Sequence, residues 1–198
     1  MTEIADPRAA ADLSVAALAG YVDLDWRRVP AAEVEWSCWQ TTLHIVDCLY
    51  FYAMQIVYGR TDGYLCTELA LDSSASPPRL LEALNAHADL LHRIARTAGL
   101  EVRAHHNYGV SDASGFAAMG VVETLIHTYD VARGLNPADL WRPPSELAEA
   151  VISRLFPRAP SGDPVDVLLY CCGRAPLGEL PRQTEWQWDG RFRADLTS

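Results

Sequence analysis

Residues 119–135 read MGVVETLIHTYDVARGL, and this stretch decides the fold. Apolar side chains occupy most of its positions, so a helix built from it is buried over most of its circumference. Within it Glu123 and His127 stand four apart, which stacks both side chains on one helical face. A carboxylate on a helix of this kind must be paired or bound to a metal. A divalent ion such as zinc takes a carboxylate oxygen and an imidazole nitrogen at about 2 Å each, and two positions one turn apart supply them without backbone strain. By itself the pair reads equally as a solvated hydrogen bond along the helix.

A second polar anomaly lies upstream, where residues 40–53 read QTTLHIVDCLYFYA and His44 is flanked by Leu43, Ile45 and Val46. Alone, His44 is either a hydrogen-bonded core histidine or a ligand. Two such anomalies on two long apolar helices point to one shared site. Three protein ligands, His44, Glu123 and His127, leave at least one coordination position for water or substrate, as a catalytic metal site requires.

Working outward, a first helix is predicted over residues 8–24 behind Pro7. The second opens at Ser37, where Gln40 completes a capping box, and runs to Tyr58 before Gly59. A third follows Ser76 and Pro77 through Ala98 and stops at Gly99. Residues 100–110 form a short strand or a loop, and Ser111 caps a fourth helix, with Asp112 and Ser114 in its first turn. That helix ends near Arg133, with Gly134 as a left-handed stop. Four helices of this length suffice for a bundle. Shorter helices over 145–156 and 163–172 follow, and the tail TEWQWDGRF alternates as a small strand pair turning at Asp189-Gly190. The division expected is a bundle over 1–140 and a C-terminal helical and β extension over 141–198.

The chain has 198 residues, 49% of them hydrophobic, enough for one substantial core. A net charge of −10 and a pI near 4.9 repel phosphate backbones and anionic headgroups, so nucleic acid is not expected as a partner. All sixteen basic residues are arginine, which removes lysine Schiff bases and lysine-dependent phosphate loops. Five cysteines without C-x-x-C spacing and an N-terminus without a leader pattern suggest a reducing cytoplasm. The most apolar run, 43–57, is about fifteen residues long and too short for a membrane span.

The segment WSCWQTTLHIVDCLYFYA resembles the motif in which DinB/YfiT-like proteins carry a first ligand histidine early in the second helix. VVETLIHTYDVARGL resembles the E-x-x-x-H-x-x-D segment of the mycothiol-dependent maleylpyruvate isomerase branch. The likeness covers residues 10–135, and DVLLYCCGRAPLGEL also resembles the tails of actinobacterial members. It implies a mainly α, up-down-down-up four-helix bundle, with His44, Glu123 and His127 holding zinc, nickel or iron. It also implies a metal that deprotonates a small thiol, mycothiol, for S-transfer or cis/trans isomerisation of a small electrophile. Asp130, matching the motif's aspartate, either orients a ligand or contacts the thiol cofactor; the alternative is a surface carboxylate near Arg133. The isomerase's larger C-terminal domain has no counterpart in this chain.

Other groups carry plainer readings. His105 and His106 suit an exposed turn, with ligation the alternative, and His87 and His92 diverge on a helix surface. Cys171 and Cys172 read as packing, Trp186 and Trp188 as one face of a strand, and Arg174 as an anion contact that joins Asp130 as a cofactor-binding candidate. No serine elbow, phosphate loop or dinucleotide fingerprint occurs. Three functions remain open: a thiol-dependent metal enzyme, a metal-dependent biosynthetic enzyme that uses no thiol, and a non-catalytic helical binding protein. The partner expected is a small-molecule substrate, with the chain a monomer or a homodimer.

Overall fold

The computed structural model describes residues 5–138 and 141–193. Six helices are present among them: α1 Pro7–Leu18, α2 Cys38–Tyr58, α3 Pro77–Thr97, α4 Ala113–Leu135, α5 Ser145–Leu155 and α6 Pro164–Cys171. The long ones pack as a bundle in which α1 and α2 each lie against both α3 and α4. Helices α5 and α6 pack on each other, α5 packs on α4, and their apolar residues join the same core. No helix of the described residues is long and apolar enough to cross a membrane.

The helix starts follow their local chemistry. Asp6 caps α1 by accepting from the backbone N–H of Arg8 and Ala9, and Pro7 supplies the first helical position. In α2 the capping box forms as expected, and the chain leaves the helix through Gly59 in the left-handed conformation at φ 62°. Helix α3 buries Leu80, Leu84, Ala88, Leu91 and Ala95 along one stripe.

Several expectations are corrected. Helix α1 stops at Leu18, followed by a 3₁₀ turn over Ala19–Tyr21, and does not reach residue 24. The chain turns there to bury Trp26, 1% exposed, in a second apolar cluster with Leu18, Cys38, Trp39 and Val131, and the Trp26 indole donates to the Tyr21 carbonyl. The α4 cap is Asp112, not Ser111, because Ser111 is tied back to Ala104 by paired backbone hydrogen bonds. Helix α4 also continues through Gly134 to Leu135. Gly134 serves close approach: a Cβ there would stand 2.4 Å from the Pro30 carbonyl oxygen and 2.8 Å from the Ala31 Cα.

The expected strand pair in the tail does not form; among the described residues only isolated bridges occur. The tail's backbone donors are satisfied elsewhere, Asp189 by the Leu155 carbonyl, Gly190 by Tyr108 and Phe192 by Val110. The tail therefore lies along the loop before α4, and residues 100–110 are that loop. This course drives Trp188 into the core, 6% exposed.

Candidate metal centre

Helices α2 and α4 pack side by side and bring His44 and Glu123 together from positions 79 residues apart in sequence. One carboxylate oxygen, Glu123 Oε2, lies 3.6 Å from His44 Nε2 and 3.2 Å from His127 Nε2. The other, Oε1, accepts a hydrogen bond from the Tyr52 hydroxyl at 3.3 Å. The two imidazoles meet edge to face with ring centroids 5.1 Å apart, and Trp36 packs against both. The donor atoms of His44, Cys48 and Glu123 all lie within 4.8 Å of one another, and His127 reaches this set through the Glu123 carboxylate. Sequence reading passed over Cys48 and Tyr52. Their signal was present, since His44, Cys48 and Tyr52 follow each other at intervals of four along α2.

Asp130 is fully buried, which removes the reading as a surface carboxylate near Arg133. Its oxygens take two hydrogen bonds from Arg174, Nη2 at 2.6 Å and Nε at 3.2 Å, and Oδ2 also meets His127 Nδ1 at 3.1 Å. Arg174, 6% exposed at its side chain, faces this carboxylate and the Trp186 ring, and neither Arg174 nor Asp130 lines the cavity beside Glu123. Because Asp130 already accepts from a guanidinium, His127 Nδ1 carries the proton in their contact. The His127 Nε2 lone pair then faces Glu123 Oε2, and two lone-pair atoms at that distance need a cation between them, either a proton or a metal ion. Two imidazoles, a carboxylate and a thiol are a donor set that divalent ions such as zinc accept, so these residues fit a metal.

Without a metal the proton fills that role. Burial disfavours charge on His127, but the Asp130 and Glu123 contacts outweigh it and raise its pKa to about 9. Burial likewise opposes ionisation of Glu123, yet its bonds to His127 and His44 hold the carboxyl well below the usual range. Burial, with Glu123 nearby, keeps the Cys48 thiol and the Tyr52 phenol neutral, both well above their ordinary values.

The centre forms one wall of a cavity of about 500 Å³. The rest of the lining includes Phe51, Tyr64, His106, Tyr108, Trp186 and Trp188, with Asp47 the further charged group. His106 is thus not an exposed turn: it is 8% exposed, packs against Tyr52, Tyr108 and Trp188, and accepts the Tyr108 N–H at Nδ1. Burial pushes its pKa down to about 4, leaving a neutral ring. Nothing in the sequence around His106 marks it, because it is a tertiary contact that buries a loop residue. His92 is also less exposed than expected, 11% at its side chain, and pairs with Asp6. Cys171 and Cys172 are buried as packing residues.

A family model described as the DinB superfamily matches residues 8–148. The chain belongs to the DinB superfamily. Members of this superfamily bind divalent metals and include metal-dependent enzymes, in keeping with the donor cluster formed by His44, Cys48 and Glu123. The DinB match covers all four long helices and so contains His44, Cys48, Glu123, His127 and Asp130; Arg174, Trp186 and Trp188 lie beyond it. No curated protein and no solved structure matches the chain.

Proposed function

We propose that this chain is a divalent-metal enzyme in which His44, Glu123 and His127 hold the ion and a small substrate enters the aromatic cavity beside it. One observation carries the reading: a carboxylate only 13% exposed presents a single oxygen to two imidazole nitrogens in the wall of a cavity. Such an ion, when bound, lowers the pKa of a coordinated thiol or water and so supplies a nucleophile at neutral pH. The residues around it do the positioning. Tyr52 donates to Glu123 Oε1 and leaves Oε2 for the histidine side, while Asp130, clamped by Arg174, fixes the tautomer and direction of His127.

The finer reading, supported by the likeness of the two helical motifs, is a mycothiol-dependent S-transferase or isomerase. A thiolate adds to an activated double bond to give a carbanion, which either rotates and expels the same thiolate or takes up a proton from solvent and keeps the sulfur attached as product. The cavity wall bears on the electrophile. Its lining has no arginine among the described residues, and Arg174 is already committed to Asp130. Beyond the bound ion itself, a second carboxylate on the electrophile would meet no arginine there, which favours an uncharged or singly charged electrophile.

Elemental analysis of the purified protein beside His44→Ala and His127→Ala tests the metal. About one equivalent in the wild type, lost in both variants, is expected; a wild type that stays metal-free after reconstitution reduces the chain to a helical binding protein. Calorimetric titration of the metal-loaded protein with mycothiol and with its S-methyl derivative tests the thiol. Binding of mycothiol alone is expected, and equal binding of both removes the sulfur from the site.

A further inference from the structure

We infer that Cys48 is a fourth protein donor of this centre, its thiolate joining His44, Glu123 and His127 around one thiophilic divalent ion. This rests on the proposed metal reading of the other three residues and adds to it. Around a tetrahedral ion with bonds of about 2.0–2.1 Å to nitrogen or oxygen and about 2.3 Å to sulfur, neighbouring donors stand roughly 3.3 Å apart for N and O and roughly 3.6 Å for N and S. Cys48 Sγ lies 3.5 Å from His44 Nε2, and that same nitrogen lies 3.6 Å from Glu123 Oε2. His127 Nε2 stands 3.2 Å from Glu123 Oε2, while His44, Cys48 and Glu123 are the donors that all lie within 4.8 Å of one another. The sulfur is closer to Nε2 than to Nδ1, which is 3.9 Å away, so it addresses the nitrogen that already faces the carboxylate.

Helix geometry supplies the placement without strain, since His44 and Cys48 are one turn apart on α2 and Glu123 and His127 one turn apart on α4. Charge supplies a second reason. A thiolate beside the Glu123 carboxylate neutralises a 2+ ion in a largely buried wall, where an uncompensated charge is costly. The thiol proton passes to solvent as the ion binds. Two consequences follow. The sulfur selects zinc and other thiophilic ions over manganese or magnesium. A substrate arriving from the cavity then meets four protein donors and enters as a fifth, so the position expected to be open from the histidine and glutamate motifs is held by the protein itself.

The test uses cobalt(II) as the probe, in a Cys66→Ser background that removes the exposed thiol. One equivalent of bound cobalt should show a near-ultraviolet sulfur-to-cobalt charge-transfer band, and Cys48→Ser should bind cobalt without that band. Cobalt bound with no band, or a band that survives Cys48→Ser, overturns the assignment of Cys48 while leaving the proposed metal site standing. Failure of cobalt to bind at all overturns both.

Discussion

Helix α4 carries an arginine-clamped aspartate at each end, and the two pairs do different work. At its start, Asp112 accepts from Arg154 Nη2 at 2.8 Å, with side chains 13% and 7% exposed. Near its end, Asp130 accepts from Arg174 Nη2 at 2.6 Å, with side chains 0% and 6% exposed. The ion pairs are nearly alike; the third partner differs. Asp112 spends its remaining capacity on the Gly115 backbone N–H and the Ser114 hydroxyl, and so starts the helix. Asp130 spends it on His127 Nδ1, and so aims an imidazole at Glu123. A buried ion pair is therefore not by itself a sign of function; what the carboxylate does with its spare lone pairs decides its role.

The largest effect that should separate the two ends is on stability. Arg174→Met leaves the fully buried Asp130 without its guanidinium and is expected to cost about 3–5 kcal/mol, whereas Arg154→Met leaves the less deeply buried Asp112 still bonded to the Gly115 N–H and the Ser114 hydroxyl and should cost about 1–3 kcal/mol. Urea unfolding of the two variants measures both, and equal losses would erase the distinction.

Next comes metal affinity. Asp130→Asn should weaken binding by about 10–100-fold in a chelator competition, because His127 loses the acceptor that orients it. Asp112→Asn should leave the affinity unchanged; a matching loss there would mean that α4 as a whole, and not the His127 contact, governs the site.

The subtlest difference lies in pH dependence, measured on metal-free protein. His127 has its pKa raised from 6.5 to about 9 in the fold, so its stabilisation is complete below about 6.5 and disappears as pH rises through about 9. Asp112 is partly desolvated, but Arg154 and the cap hold its carboxyl below the ordinary 3.8, so its stabilisation is present above that value and lost as pH falls. Asp130→Asn should flatten the alkaline limb of the stability curve and Asp112→Asn the acid limb. If each variant altered the opposite limb, the assignment of roles along α4 would be reversed.

Sequence reading served the two helices unequally from the rest. The capping box of Ser37 and Gln40, the stop at Gly59, and the four-residue spacing of Glu123 and His127 are local features, and they appear in the structure where their chemistry puts them. His44 was also legible, as a polar residue in an apolar run. The Arg174–Asp130 clamp was not, since 44 residues separate the partners and no periodicity links them. Gly134 was misread because a glycine near a helix end signals a left-handed stop locally, whereas here it makes room for the backbone of residues 30–31.

The amino-acid sequence by itself determined the mainly helical fold, the two helices that carry the centre and three of its polar residues. Those features depend on periodicity and capping, which act over one or two turns. Only the tertiary structure decided what those residues meet. The packing of α2 on α4 set Cys48 and Tyr52 beside Glu123, and the return of the tail brought Trp186 and Trp188 to the cavity. Burial then made those contacts matter, because a carboxylate shielded from water takes its charge state from whichever groups the fold places against it.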